Sequence, residues 1–191
     1  MGKQRPFPSE LFENFSKREL QDFLEIFHYS VQAESDEDVG KVLLKAQRLL
    51  PFEHLIGGLV RVDSSGTFQD FLTVINVSDP NDWLYAYAKN GYAEADPVLV
   101  SLLRTFRTQI WTHSYENYEN ANSKKQQEFI EEAKSFGLAN GITAGLDEPN
   151  QGLASFFSFS GGEFVDHQHY AGILEYLVDR LHDVLVRRPT P

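Results

Sequence analysis

The tightest constraint on this 191-residue chain is a three-residue link, Ser64-Ser65-Gly66, between two β-rich segments at 53–63 and 67–77. So short a connection joins neighbouring antiparallel strands and cannot hold the crossover that parallel strands require. A second pair of β-rich segments, 142–146 and 153–160, is joined across Glu148-Pro149-Asn150-Gln151-Gly152 and reads as another hairpin.

Amphipathic helices surround these hairpins. Ser16 and Glu19 have capping-box spacing, and Leu20, Phe23, Leu24, Phe27 and Val31 follow at helical period as the expected inward face. Ser35 and Asp38 open a second helix with Val39, Val42, Leu43, Ala46 and Leu50 on one face, stopped by Pro51. Asp79-Pro80 and Asp96-Pro97 each read as an N-cap followed by proline at the first helical position, the first of these helices ending near Asn90-Gly91. Ser123 begins a further helix with Phe129, Ile130, Ala133 and Phe136 inward, ended by Gly137, and a long helix from about 164 to 188 follows. The fold class is α/β (α+β): an α-β-α sandwich with a central antiparallel sheet covered by helices on both faces. With no repeat and no internal linker, residues 1–188 read as one domain, and 189–191 as the start of a linker.

Composition narrows the function. The chain has no Cys, which excludes a disulfide framework, a thiolate metal site and a cysteine nucleophile, and fits a reducing cytoplasm. The first residues lack the apolar run of a signal peptide, and no stretch reaches the length of a membrane span, so no membrane partner is expected. Lys+Arg number 17 against Asp+Glu 28, a formal charge of −11, so nucleic acid would have to be bound by another module. Elbow, phosphate-loop, HExxH and GxGxxG signatures are missing, which disfavours an enzyme. His167 and His169 lie two apart, so on a helix they diverge by about 200° and share no metal. Glu131-Glu132 sits on the outer face of an amphipathic helix.

The informative stretch begins at Asp79-Pro80 and runs through Trp83, Tyr87, Gly91-Tyr92 and Asp96-Pro97 to Trp111. Trp83 and Tyr87, four apart, share one helix face and present an indole N–H and a phenol together. That face is either core or the wall of a site for a buried amphiphile, and Asp96 is either a cap alone or the carboxylate that closes the wall.

The W-x3-Y spacing, the G-Y-x3-D-P run and the Trp fifteen residues past Asp96 resemble the autoinducer-binding domain of LuxR-type quorum-sensing transcription regulators. Gly137-Leu138, Gly141 and Thr143 match that family's G-L-x-x-G-x-T segment, and the resemblance spans residues 52–160. It implies a receptor that buries an N-acyl homoserine lactone, with no cofactor and no catalysis. It implies a homodimer in the cytoplasm that reaches DNA only through a C-terminal helix-turn-helix; nothing after Arg188 supplies one, so the chain reads as a fragment. By the same resemblance, Trp83 would donate to the lactone carbonyl and Asp96 would accept from the amide N–H. Tyr87 would approach the acyl carbonyl or the start of the acyl chain, and Trp111 would pack on the ring. Ile56, Gly58, Val60, Ile75 and Thr143 match pocket-lining positions, as do Leu153, Ser155 and Phe157.

One departure stands out. Many family members carry Tyr four residues before the motif Trp, whereas this chain has Asp79. As an N-cap its carboxylate is expected to turn to the backbone, which leaves a non-lactone ligand on the same fold as the alternative. Phe156, Phe157 and Phe159 suggest a crowded sheet face suited to a short, branched or aromatic acyl group.

Overall fold

A computed structural model describes residues 8–117, 123–161 and 166–187. In chain order its elements are α1 (Lys17–Ser30), α2 (Asp36–Leu49), β1 (His54–Val62), β2 (Phe68–Asn76), α3 (Asn81–Lys89), α4 (Pro97–Thr105) and β3 (Gln109–Ile110). Then come α5 (Trp111–Asn117), α6 (Lys124–Ser135), β4 (Gly141–Ala144), β5 (Asp147–Glu148), β6 (Leu153–Ser160) and α7 (His167–Val186). The sheet runs β2-β1-β6-β4-β3, with β5 paired to β6, and every pairing is antiparallel.

Both hairpins form. The second is interrupted between β4 and β5, where Ser155 Oγ accepts from Leu146 N at 3.1 Å. The short elements β3, β5 and α5 go beyond the expected element order. The two ends expected for the last helix, 164 and 188, lie outside the described residues.

Helix ends follow the cap chemistry at most sites. Ser16 and Glu19 exchange bonds of 3.2 and 2.7 Å, and Ser35 and Asp38 form a second capping box with two bonds of 3.2 Å. Asp96 Oδ1 accepts from the N–H groups of Val98 and Leu99 at 2.8 and 3.2 Å, with Pro97 opening α4. Asp79 departs from this pattern: the residue before α3 is Pro80, and no side chain caps that helix.

α1, α2 and α7 cover one face of the sheet. Ile26, Leu43, Leu55, Phe157, Phe159, Ile173 and Leu177 form the main core there, all fully buried. α3 to α6 cover the other face in two smaller clusters, one around Leu99, Leu102 and Phe156, the other around Trp83, Trp111 and Phe129. The apolar arc of α1 is wider than its contact: Leu20, Leu24 and Val31 are exposed, while Ile26 is buried and Phe23 and Phe27 are half-covered. A helix at the edge of a layer covers only the strip that meets its neighbours, so these three residues face solvent.

Candidate functional site

Between the sheet and α3 to α6 lies a cavity of about 270 Å³. Its wall on α3 is Trp83, Leu84, Tyr87 and Ala88, and its floor on the sheet is Ile56, Phe71, Val74, Thr143, Phe156 and Ser158. Asp79, Asp96, Val98, Leu99, Trp111, Tyr115, Phe129 and Ala133 close it. The helical stripe forms because residues three and four apart share a face, and Trp83 stands 5.6 Å edge-on to Tyr87. Phe129 of α6 packs on both rings, at 5.7 and 6.0 Å, which fixes α3 against α6.

Of the residues expected from sequence, Ile56, Asp79, Trp83, Tyr87, Asp96, Trp111 and Thr143 meet at this cavity. Six others do not. Gly58 is on the cavity side of β1, but a Cβ there would meet Thr73 O and the Phe156 ring, so that ring occupies the place the glycine leaves open. Val60, on the same side, is fully buried among residues that pack on Phe156 and Leu102. Ile75 packs in the opposite cluster and Val74 takes its place. The register sets this: Val74 pairs with Gly58 on the cavity side of β1, whereas Ile75 pairs with Gly57 on the other side.

Leu153, Ser155 and Phe157 are one residue out of phase on β6, which turns Phe156 and Ser158 to the cavity. Phe157 is fully buried under α2 and α7, and Ser155 accepts or donates to His182 Nδ1 of α7 at 2.8 Å. Leu153 pairs with Glu148 and Arg61 at the strand's start. Both phases of this strand are buried, so apolar alternation carries no sign of which faces the cavity.

The polar groups divide into satisfied and open. Trp111 Nε1 donates to Thr143 Oγ1 at 2.8 Å, and Thr143 Oγ1 lies 2.9 Å from Ser158 Oγ. The Tyr87 hydroxyl donates to Asp96 Oδ2 at 3.0 Å. By contrast, the Tyr115 hydroxyl and Asp79 Oδ1 are buried with no partner among the described residues. The indole N–H of Trp83 also makes no hydrogen bond there. Tyr115 and Ser158 are site residues that sequence reading missed. Tyr115 lies four residues past Trp111, a helical spacing that would have exposed it had α5 been recognised.

Burial sets the electrostatics. It pushes the Asp96 carboxyl up to about 6, against the opposing bonds from Leu99, Val98 and Tyr87. It raises Asp79 to about 6 as well, opposed by His54. The Tyr87 phenol is driven well above its ordinary value by burial and then by the Asp96 charge, and Tyr115 is raised for the same two reasons. The site is an apolar chamber lined by two carboxylates and the Trp83 indole. Ser155, His182 and Glu148 do form a row, at 2.8 and 3.1 Å, but on the other face of the sheet with Ser155 fully buried, so it ties α7 to the hairpin. Among the described residues no group of His, Asp and Glu is arranged to hold a metal, and no helix is long and apolar enough to cross a membrane.

The Autoinducer binding domain family matches residues 35–185. No curated protein matches the sequence. Among solved structures, the N-acylhomoserine lactone dependent LuxR family transcription factor CepR2 of Burkholderia cenocepacia is similar at 18% identity and a TM-score of 0.67, over 88% of this chain and 94% of that one. Escherichia coli SdiA is similar at 19% identity and 0.65, over 88% of this chain and 68% of that one. SdiA in complex with octanoyl-rac-glycerol superposes equally well, covering 91% and 68%. At these identities the likeness establishes the fold.

Proposed function

This chain belongs to the family of autoinducer-binding domains of LuxR-type regulators, and we propose that its cavity binds an N-acyl homoserine lactone. The family is a ligand-binding regulatory domain and not an enzyme family, and a small-molecule receptor role follows from membership. What carries the lactone reading is the open indole N–H of Trp83 on the same apolar wall as the Asp96 carboxylate. A lactone presents a ring carbonyl to the first and an amide N–H to the second, with an alkyl chain for the space between Ile56, Phe71 and Phe156. Trp111, held by Thr143, packs against the ring. Tyr87 directs its proton to Asp96 and so orients the carboxylate, which leaves Tyr115 as the free hydroxyl for the acyl carbonyl. On this reading ligand occupancy is the input of a homodimeric cytoplasmic transcription regulator whose DNA contacts belong to a separate helix-turn-helix module.

A second reading, a non-lactone acyl ligand, is favoured by the unpartnered Asp79 and by the octanoyl-rac-glycerol held by SdiA on the same fold. Native mass spectrometry of protein purified from a host fed mixed acyl homoserine lactones separates the two. A retained mass equal to one lactone supports the first, and a retained acyl compound without the lactone supports the second.

A further inference from the structure

Asp79 lines the cavity at 8% exposure, and its Oδ1 has no partner among the described residues. The surrounding backbone asks nothing of this side chain. Asn76 already accepts from Asp79 N at 2.8 Å and donates to Asp79 O at 3.0 Å, and α3 starts without a side-chain cap. A buried acceptor left unpaired costs stability, and native proteins keep few of them. An ionised carboxylate accepts hydrogen bonds and cannot donate. The partner that Asp79 lacks is therefore a donor.

Asp79 and Asp96 both line the cavity, so a ligand that fills it meets two carboxylate acceptors. An unsubstituted acyl homoserine lactone has one donor, the amide N–H, which the proposed reading assigns to Asp96. We infer that the ligand of this receptor carries a second donor, a hydroxyl on the acyl chain close to the amide, and that Asp79 selects hydroxyacyl over oxoacyl and unsubstituted chains. An oxo group there would turn a carbonyl oxygen toward carboxylate oxygens, acceptor against acceptor. This rests on the lactone reading and goes beyond it by naming the substituent.

Titration calorimetry with lactones of one chain length, unsubstituted, 3-oxo and 3-hydroxy in both enantiomers, tests it on the unaltered protein, Asp79→Leu and Asp79→Asn. The unaltered protein binds one 3-hydroxy enantiomer about tenfold or more tighter than the other two chain types, the margin expected for one hydrogen bond to a charged group. Asp79→Leu, which removes the acceptor, levels the series. Asp79→Asn, which also donates, brings 3-oxo level with 3-hydroxy. If lactones bind but the unaltered protein does not discriminate, or if the preference survives in both variants, the inference is wrong and the lactone reading stands. If no lactone binds any of the three proteins, the lactone reading is wrong and the inference goes with it.

Discussion

The Tyr87 hydroxyl donates to one oxygen of Asp96 at 3.0 Å while the other oxygen accepts from the first turn of α4 at 2.8 and 3.2 Å. A single carboxylate thus starts one helix, ties it to another and borders the cavity between them. Helix cap and ligand contact are two duties of one group, carried by different lone pairs.

Substitution can separate those duties. Asn is as good an N-cap as Asp, so Asp96→Asn keeps thermal stability within about 1 kcal/mol, but its amide opposes a ligand N–H with another donor. Lactone affinity falls about tenfold to a hundredfold by calorimetry. Asp96→Ala loses both duties and costs about 1–2 kcal/mol of stability as well. Affinity unchanged in Asp96→Asn would show that Asp96 is a cap alone.

Asp79 gives a pH signature. Its carboxyl is raised from 3.8 to about 6 by burial, so folding favours the protonated form. The stability this contributes is complete below the unfolded value and is lost as pH rises from about 4 through about 6. Asp79→Asn removes that loss, so the stability of the variant relative to the unaltered protein climbs across this window by about 3 kcal/mol at most. Urea unfolding at several pH values checks it. The comparison between the two proteins cancels the opposite trend from Glu19, Glu25, Asp38 and Asp63, whose carboxyls are lowered mainly by side-chain hydrogen bonds. A difference that stays flat with pH would place Asp79 in contact with water.

Phe156 limits the cavity at the sheet, with Phe71 5.8 Å away and Gly58 beneath its ring. Phe156→Ala should cost the empty protein about 3–5 kcal/mol and shift its preference to longer or bulkier acyl chains, which fill the vacated space. A thermal shift series across chain lengths shows this as a displaced optimum. An unmoved optimum would mean that the acyl chain runs elsewhere.

The parts of this structure legible in sequence were those fixed by local chemistry. Capping boxes at Ser16 and Ser35, the Ser64-Ser65-Gly66 link and the W-x3-Y stripe depend on a few neighbouring residues, and all appear as expected. The errors came from contacts distant in sequence. The phase of β6 is invisible when Phe156 and Phe157 are both buried, and which of Val74 and Ile75 faces the cavity is set by pairing with β1. Asp79 followed the pattern of an N-cap, yet its backbone is held by Asn76 and its side chain faces the cavity. Tyr115 was missed with α5, a helix of seven residues with no cap signal.

The central claim, a ligand carbonyl bonded to Trp83, is open to direct observation because the chain has two tryptophans and hence two indole N–H resonances. That of Trp111 is already bonded to Thr143 at 2.8 Å, whereas that of Trp83 is free. Nitrogen–proton correlation spectra, assigned with Trp83→Phe, should show the Trp83 indole proton moving downfield and saturating as lactone is added, while the Trp111 proton shifts far less. Saturated binding with the Trp83 resonance unmoved would contradict the account.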